Sequence, residues 1–231
     1  MRFLILTAMV GLSLGAGSDP PRPCCTDHQF EAVMGQVGGN VYNHHGHLTQ
    51  NWLDGYNKVH YDAYNKMIAV EAHQTLMNGS VTVTNILLDY PNKRQYIQNQ
   101  GNCYHTPLTR TMREPCVPDS AQYIGPTYMG YGTSKLALNN WEYHPKNTDQ
   151  SLKVALTQEG CTPIVESFVG HVKTNDGKET IETNFVYVFS EFRTGLRNSD
   201  VFNVPQACRM SSSIPNPVGR SVRHVQTLFS Q

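Results

Sequence analysis

Six cysteines constrain this chain more than any other feature, because all of them lie behind an apolar N-terminal leader. They are Cys24, Cys25, Cys103, Cys116, Cys161 and Cys208. An even count behind a secretory leader predicts three disulfides, and six cysteines allow 15 pairings among which the residues alone do not choose. The cysteines are far apart in sequence, so the bonds would close long loops and stabilise the fold by ~2–4 kcal/mol each.

A metal site is the alternative use of these cysteines. No CxxC or HxxxH spacing occurs in the sequence, and zinc sites usually carry such closely spaced ligands. The neighbours Cys24 and Cys25 are expected to bond to two different partners, because a bridge between adjacent residues would strain the peptide that joins them. We therefore predict disulfides in place of a zinc site.

The leader itself fits a secretory signal peptide over residues 1–17. Arg2 is followed by the apolar run Phe3–Leu14 and by the small residues Gly15–Gly17, which is the order of charge, apolar core and cleavage site in signal peptides. An uncleaved anchor is the alternative, but a membrane span needs roughly 20 apolar residues. The sequence thus predicts a secreted, extracellular protein without a transmembrane anchor.

The chain after the leader has the patterns of antiparallel β-structure. Val59, Tyr61 and Ala63 alternate with polar neighbours, and a period of two is typical of a half-buried strand. Turn signals such as Asn78-Gly79 separate one strand from the next. The first half is predicted to be a four-stranded meander, with strands near residues 58–63, 66–72, 80–88 and 94–98.

The second half shows the same alternation of predicted strands and turns, and it is followed by a predicted tail. Asn175–Gly177 is predicted to join two strands as a hairpin turn. Residues 103–131 lack a clear period and are predicted to form an ordered connection over the sheet. We expect one β domain over residues 18–208 and a flexible, weakly basic tail with serine and proline over 209–231. Strands of this half are predicted near residues 136–143, 152–157, 164–172 and 180–189.

The charge pattern gives no sign of a nucleic-acid partner. The formal net charge is zero, whereas such partners call for a basic patch or stripe. The densest polar cluster contains His44, His45 and His47, three imidazoles that could hold copper or zinc. We favour a polar loop ahead of the first strong strand, because no cysteine or carboxylate nearby completes a metal site.

No motif in the sequence predicts catalysis. A nucleophile elbow and a phosphate-binding loop are both absent. The acids Asp54, Asp62, Glu71 and Asp89 are scattered, and their spacing does not pair any two as acid and base. No EF-hand loop marks calcium ligands. We expect a protein that is not an enzyme.

One modification site is predicted. Asn78-Gly79-Ser80 is an N-glycosylation sequon. It falls on a predicted turn between strands, where a glycan can be accommodated. The alternative is that these residues are simply an Asn-Gly turn.

Four segments together resemble the ependymin-related family of extracellular glycoproteins. Their shared order along the chain, together with the leader, makes the match specific, and it covers residues 23–208. The segments are Pro23–Glu31 (PCCTDHQFE), Asp89–Tyr96 (DYPNKRQY) followed by Cys103, Gly160–Ile164 (GCTPI), and the stretch in which Phe192–Leu196 (FRTGL) leads to Val201–Cys208 (VFNVPQAC).

The resemblance implies a fold, several functional properties and a disulfide scheme. The fold is an all-β, mainly antiparallel, strongly curved sheet or half-barrel similar to the bacterial lipoprotein-carrier fold, with few short helices. Calcium binding, homodimer formation, extracellular-matrix or cell-contact roles and, for some members, lysosomal delivery are also implied. By position, Cys25 would pair with Cys161 and Cys103 with Cys208, which leaves Cys24 for Cys116.

Residues and resemblance together predict a secreted glycoprotein that binds a hydrophobic, lipid-like ligand, with calcium modulating its structure or affinity. The apolar strand faces are compatible with such a cavity, but they could equally form an ordinary core. A matrix or cell-adhesion glycoprotein that needs no small ligand is the alternative.

Overall fold

The protein folds as a single open antiparallel sheet within the residues that the structure describes. A computed structural model describes residues 19–44, 47–75, 78–145, 149–173, 180–209 and Phe229. The strands are β1 (Gln29–His44), β2 (His47–Asp62), β3 (Met67–Thr75), β4 (Val81–Asp89), β5 (Arg94–Asn99), β6 (Asn102–Pro107), β7 (Gln122–Tyr131), β8 (Ser134–Tyr143), β9 (Gln150–Thr157), β10 (Pro163–Lys173) and β11 (Thr180–Thr194). A four-residue 3-10 turn (Ser199–Phe202) and a four-residue helix, α1 (Gln206–Arg209), follow the last strand.

The strand order shows two meanders that meet at the middle of the sheet. The order is β6-β5-β4-β3-β2-β1-β11-β10-β9-β8-β7, so β6 and β7 are the two edges. The long strand β1 pairs with β2 on one side and with β11 on the other. Residues 108–121 must therefore carry the chain from one edge strand to the other. This all-β antiparallel fold confirms the predicted fold class.

Alternating burial gives the sheet two distinct faces. One face, the inner face, carries two apolar clusters in the described residues, one over β1–β5 and β11 and one over β8–β10. Directly paired residues such as Trp141, Val154 and Glu166 lie on this same face. On the other face, residues 196–208 pack against β3–β6, with Phe202 and Cys208 buried there.

Two glycines mark places where neighbouring strands approach very closely. Gly38 in β1 has φ +152° and Gly170 in β10 has φ +158°, values that L-residues rarely adopt. A Cβ at Gly38 would clash with the carbonyl oxygen of Asn184, and one at Gly170 would clash with that of Asp149. Glycines inside strands are typical of bends and close backbone contacts, and these two allow the sheet to curve.

The prediction for residues 103–131 was wrong in part. This region contains the edge strands β6 and β7, with an irregular segment only between them. Strand β7 is almost wholly exposed on both faces, so its residues carry no inward–outward alternation from which a strand could be predicted. It also contains Pro126, which edge strands tolerate because one side of their backbone has no partner strand.

Two of the three disulfide pairings expected from the resemblance were wrong. Cys103–Cys208 is present, but Cys24 is bonded to Cys161 and Cys25 to Cys116. Cys25 and Cys116 form an antiparallel bridge, so their side chains face each other across the backbone pair. Adjacent side chains of an extended chain point in opposite directions, and Cys24 is therefore directed away from Cys116.

Two hairpin turns at one end of the sheet share the same construction. Asp62 Oδ1 accepts a hydrogen bond from the backbone N–H of Asn65, and its Oδ2 accepts one from the Asn65 side chain. Asp89 and Asn92 repeat both contacts. Such carboxylate-capped turns fix the connection between neighbouring strands.

Several predictions fall outside the described residues. The signal peptide over residues 1–17 and the turn residues Asn175–Gly177 lie there, although β10 and β11 do pair as predicted. His44 and His47 end β1 and begin β2, whereas His45 lies outside the description. No helix in the described ranges is long and apolar enough to span a bilayer.

Of the predicted tail, the structure describes Arg209, the last residue of α1, and Phe229. Phe229 is only 8% exposed and packs into the apolar cluster over β1–β5 and β11.

Candidate ligand-binding cavity

A short covering segment lies over the inner face, held by backbone pairing and a disulfide. The N–H of Thr26 donates to the carbonyl of Pro115 at 2.7 Å, and the N–H of Val117 donates to the carbonyl of Cys24 at 2.9 Å. The Cys25–Cys116 bond joins the two halves of this paired unit, and the Cys24–Cys161 bond fastens it to the connection between β9 and β10. We call residues 24–26 and 113–117 the cover.

Between the cover and the sheet lies an apolar cavity of about 70 Å³. The cover forms its roof, and inward side chains of both meanders form its floor. It therefore sits where the two halves of the sheet meet. Its floor and wall residues include Phe30, Met34, Tyr61, Tyr143, Val154, Leu156, Pro163, Glu166, Phe189 and Phe229.

One ion pair lies inside this apolar site. Arg113 of the cover donates to Glu166 of β10, with Nη1 at 2.7 Å from Oε1 and Nη2 at 3.3 Å from Oε2. The side chains are 18% and 6% exposed. Burial acts to lower the pKa of Arg113, but the attraction of Glu166 outweighs burial and the pKa is raised. The two-point geometry is the strong form of a charge-assisted hydrogen bond, and it neutralises both charges within the cavity.

Three tyrosines surround the ion pair and remain neutral donors. Burial raises the pKa of Tyr61, Tyr143 and Tyr187. The hydroxyl of Tyr61 donates to the carbonyl of Arg113 at 2.6 Å. The Arg113 guanidinium lies 5.4 Å from the centre of the Tyr143 ring, and the Tyr143 hydroxyl is buried with no hydrogen-bond partner in the described part of the chain.

The acids noted in the sequence lie elsewhere and do not form one site. Asp62 and Asp89 cap hairpin turns, and Glu71 contacts Lys58 at 2.7 Å and His73 at 2.6 Å. Asp54 is exposed. None of these four lines the cavity.

The glycosylation sequon has an accessible position. Asn78 is exposed at the turn between β3 and β4. Its Oδ1 accepts hydrogen bonds from the N–H of Ser80 at 3.0 Å and from the Ser80 hydroxyl at 2.7 Å. The asparagine side chain thus lies in a polar turn with room for a glycan.

An apolar patch lies on the outer face, opposite the cavity. It is centred on Val37 and Trp52, which are 61% and 62% exposed, and on Val186, which pairs with Val37 across β1 and β11. Isolated exposed apolar residues are normal, but contiguous ones are typical of contact surfaces. We call Val37, Trp52, Val169, Val186 and Val188 the outer patch.

A protein-family model covers the larger part of this sequence. The family model named Ependymin matches residues 78–208, which is more than half of the chain. The chain belongs to the ependymin family. Two similar relatives are ependymin-related protein 2 of Haliotis asinina, 28% identical over 99 residues, and ependymin-related protein 1 of the same organism, 23% identical over 136 residues.

These ependymin relatives are matched only in part. The first alignment covers 41% of this chain and 46% of the relative, and the second covers 55% and 66%. Among solved structures, MucB in complex with MucA(peri) shows 9% identity and covers 72% of this chain and 94% of that one, with a TM-score of 0.13. So low a TM-score shows no shared fold, and the predicted similarity to lipoprotein carriers stays a prediction.

The most important residues of this ependymin cavity, Arg113 and Glu166, were missed by sequence reasoning. Glu166 did leave a signal, because it lies within a predicted apolar strand and shares the inward face with Phe168. A lone carboxylate at an inward position requires a partner. Arg113 left no signal, since it lies in an irregular segment whose path over the sheet is set by disulfides.

Proposed function

We propose that this protein is a secreted, non-enzymatic carrier or sensor that binds a hydrophobic, lipid-like ligand beneath the cover. The observation that carries the proposal is the apolar cavity whose walls meet the buried Arg113–Glu166 pair and the unpartnered Tyr143 hydroxyl. Ligand sites typically combine apolar walls with a few convergent polar groups that orient the ligand. An amphiphile with an apolar body and one polar group fits this arrangement.

The polar groups of the cavity suit recognition better than catalysis. Arg113 and Glu166 are hydrogen-bonded to each other and balance each other's charge. Burial raises the pKa of the nearby Tyr143. A general acid or base is most effective with a pKa near the working pH. The tyrosine hydroxyl can instead orient a bound molecule by donating a hydrogen bond.

Secretion and glycosylation belong to the same proposal. Three disulfides in one domain are typical of proteins that fold in an oxidising compartment. The accessible sequon at Asn78 suits glycan attachment in that compartment. Delivery to lysosomes and pairing into homodimers stay predictions.

Calcium modulation also stays a prediction. Within the described ranges, no three histidine, cysteine, aspartate or glutamate side chains come together as a metal site. No calcium ligands can therefore be named among the described residues. Melting curves of the secreted protein with calcium and with a chelator would show a shift only if calcium binds the folded state.

A matrix or cell-adhesion role is the second candidate, and the outer patch favours it. Val37 and Trp52 are largely exposed on the face opposite the cavity. Such a protein would need no small ligand, and its binding would be lost on substitution of Trp52 rather than of cavity residues.

The deciding experiment is mass spectrometry of an organic extract from protein secreted by eukaryotic cells, against a mock purification. Val154→Phe fills the cavity, and Val169→Phe is its matched control because Val169 is exposed on the outer face. We expect an acyl compound near one equivalent in the unaltered chain and in Val169→Phe, and its loss in folded Val154→Phe. An extract that matches the mock for all three proteins would contradict the carrier proposal and favour adhesion.

A further inference from the structure

Phe229 lies in the cavity although it follows the last strand of the sheet by many residues. It is 8% exposed and lines the cavity together with Phe30, Tyr61 and Phe189. Its ring centre lies 6.4 Å from that of Tyr61, with the planes tilted by 44°.

The backbone of Phe229 is held by two neutral donors. Its carbonyl oxygen accepts a hydrogen bond from the backbone N–H of Arg113 at 2.9 Å and from the hydroxyl of Tyr90 at 2.8 Å. One donor belongs to the cover and the other to the turn after β4. The apolar ring and the adjacent carbonyl therefore occupy the site together.

The space left beside Phe229 is small. The cavity volume is about 70 Å³, whereas pockets for drug-sized ligands are roughly 300–1,000 Å³. A lipid-like molecule therefore needs more room than this, and displacement of Phe229 would supply it.

We propose that Phe229 is an internal occupant of the ligand site, and that the ligand it replaces carries an apolar group next to a neutral carbonyl. This inference rests on the proposed ligand-binding function. It adds the chemical class of the ligand, and it identifies Phe229 as a group of the same chain that competes with the ligand for the site. Acyl esters and amides have this chemistry, and so do aromatic peptides. Ligand and C-terminus then exclude each other.

The charges of the site favour a neutral carbonyl over a carboxylate. The Arg113 guanidinium donates two hydrogen bonds to Glu166, and the Glu166 carboxylate already balances its positive charge. The donors that reach the Phe229 carbonyl are an amide and a phenol, which carry no charge. An anion taken from water into this apolar site would lose hydration without gaining an opposite charge.

The test is a titration of methyl decanoate, decanoic acid and N-acetylphenylalaninamide into the full chain and into Phe229→Ala. The matched control is a chain that lacks only Gln231, which keeps Phe229 and the peptide bond that follows it. We expect Phe229→Ala to bind methyl decanoate at least tenfold more tightly than the other two proteins, and more tightly than it binds decanoic acid. N-acetylphenylalaninamide should compete if aromatic peptides share the site, and its failure to compete would assign the site to acyl compounds.

A second substitution tests the carbonyl contact itself. In the Phe229→Ala background, Tyr90→Phe removes one donor, so affinity for methyl decanoate should fall several-fold while affinity for decane stays unchanged. Equal losses for both probes would overturn recognition of the carbonyl.

Hydrogen exchange tests the displacement of Phe229 in the unaltered chain, without any substitution. Saturating methyl decanoate should accelerate amide exchange in the C-terminal peptide of the full chain, because the ligand displaces Phe229. If all the proteins bind methyl decanoate equally and exchange is unchanged, internal occupancy is wrong while the carrier function stands. If no variant binds any probe, the carrier function fails and the inference falls with it.

Discussion

Arg113 reaches from the cover to Glu166 in the middle of β10 and forms a two-point ion pair with it inside the apolar cavity. The pair joins two parts of the chain that are 53 residues apart. It fixes the cover at the point where the two meanders meet. The cavity thus owes its roof to one polar contact as well as to the disulfides.

Breaking this ion pair should destabilise the protein far more than replacing it. Glu166→Leu leaves a buried, unpaired guanidinium and should cost about 3–5 kcal/mol of unfolding free energy. The double substitution Arg113→Met with Glu166→Leu should regain most of that loss, because no charge is then buried alone. Urea unfolding of the two single variants and the double variant measures the coupling. Strictly additive losses would show that the two charges do not depend on each other.

Acid should weaken the hairpin turn at Asp62. Burial acts to raise the pKa of this carboxyl, but hydrogen bonds from Asn65, Gln29 and Tyr64, those of Asn65 being the largest, together outweigh burial and lower it. A depressed folded-state pKa contributes stability above the unfolded value, near 3.8, and that stability is lost as pH falls through the folded value. Asn65→Ala should therefore flatten the loss of unfolding free energy as pH falls below about 3.8. An unchanged slope would contradict the role given to Asn65.

The disulfide pairing can be checked directly. Cys24 and Cys25 are adjacent, so one proteolytic peptide should be linked to two others, which contain Cys116 and Cys161. Fragmentation between the adjacent cysteines should assign Cys24 to Cys161. The opposite assignment would restore the pairing that the family resemblance implied and would displace the cover.

The sequon should be occupied in protein from eukaryotic cells. Asn78→Gln should lower the apparent mass by one glycan and leave the melting temperature nearly unchanged, because Asn78 is exposed and its side chain accepts hydrogen bonds from Ser80 of the same turn. Ser80→Ala should have the same effect on mass, since the hydroxyl is needed for the sequon. Electrophoresis before and after glycosidase treatment measures this, and unaltered mobility of both variants would show an empty sequon.

The strands of the two meanders could be predicted where one face is buried and the other exposed. Residues 180–189 show this, because Ile181, Phe185 and Tyr187 are buried and their neighbours Glu182 and Val186 are exposed. β7 could not be predicted, because neither of its faces is buried. β1 was also missed, since glycines and buried amides such as Gln36 and Asn40 interrupt its apolar pattern.

The sequence predicted that an apolar cavity could exist, but it did not predict which residues line that cavity. Its floor follows from strand alternation, but its roof depends on which residues the disulfides and the Arg113–Glu166 pair bring across the sheet. Contacts between residues far apart in sequence leave no local pattern. Phe229 is the extreme case, since the composition of residues 209–231 indicated a tail and not a buried side chain.

Photoaffinity labelling tests the central claim, that the ligand lies beneath the cover, more directly than any other measurement. A decanoyl ester that carries a diazirine on its acyl chain would be irradiated with the secreted protein, with and without excess methyl decanoate. The account predicts competed labelling in peptides that contain Met34 and Val154, which line the cavity. Competed labelling confined to Val37 and Trp52 on the outer patch, or no competed labelling at all, would contradict it.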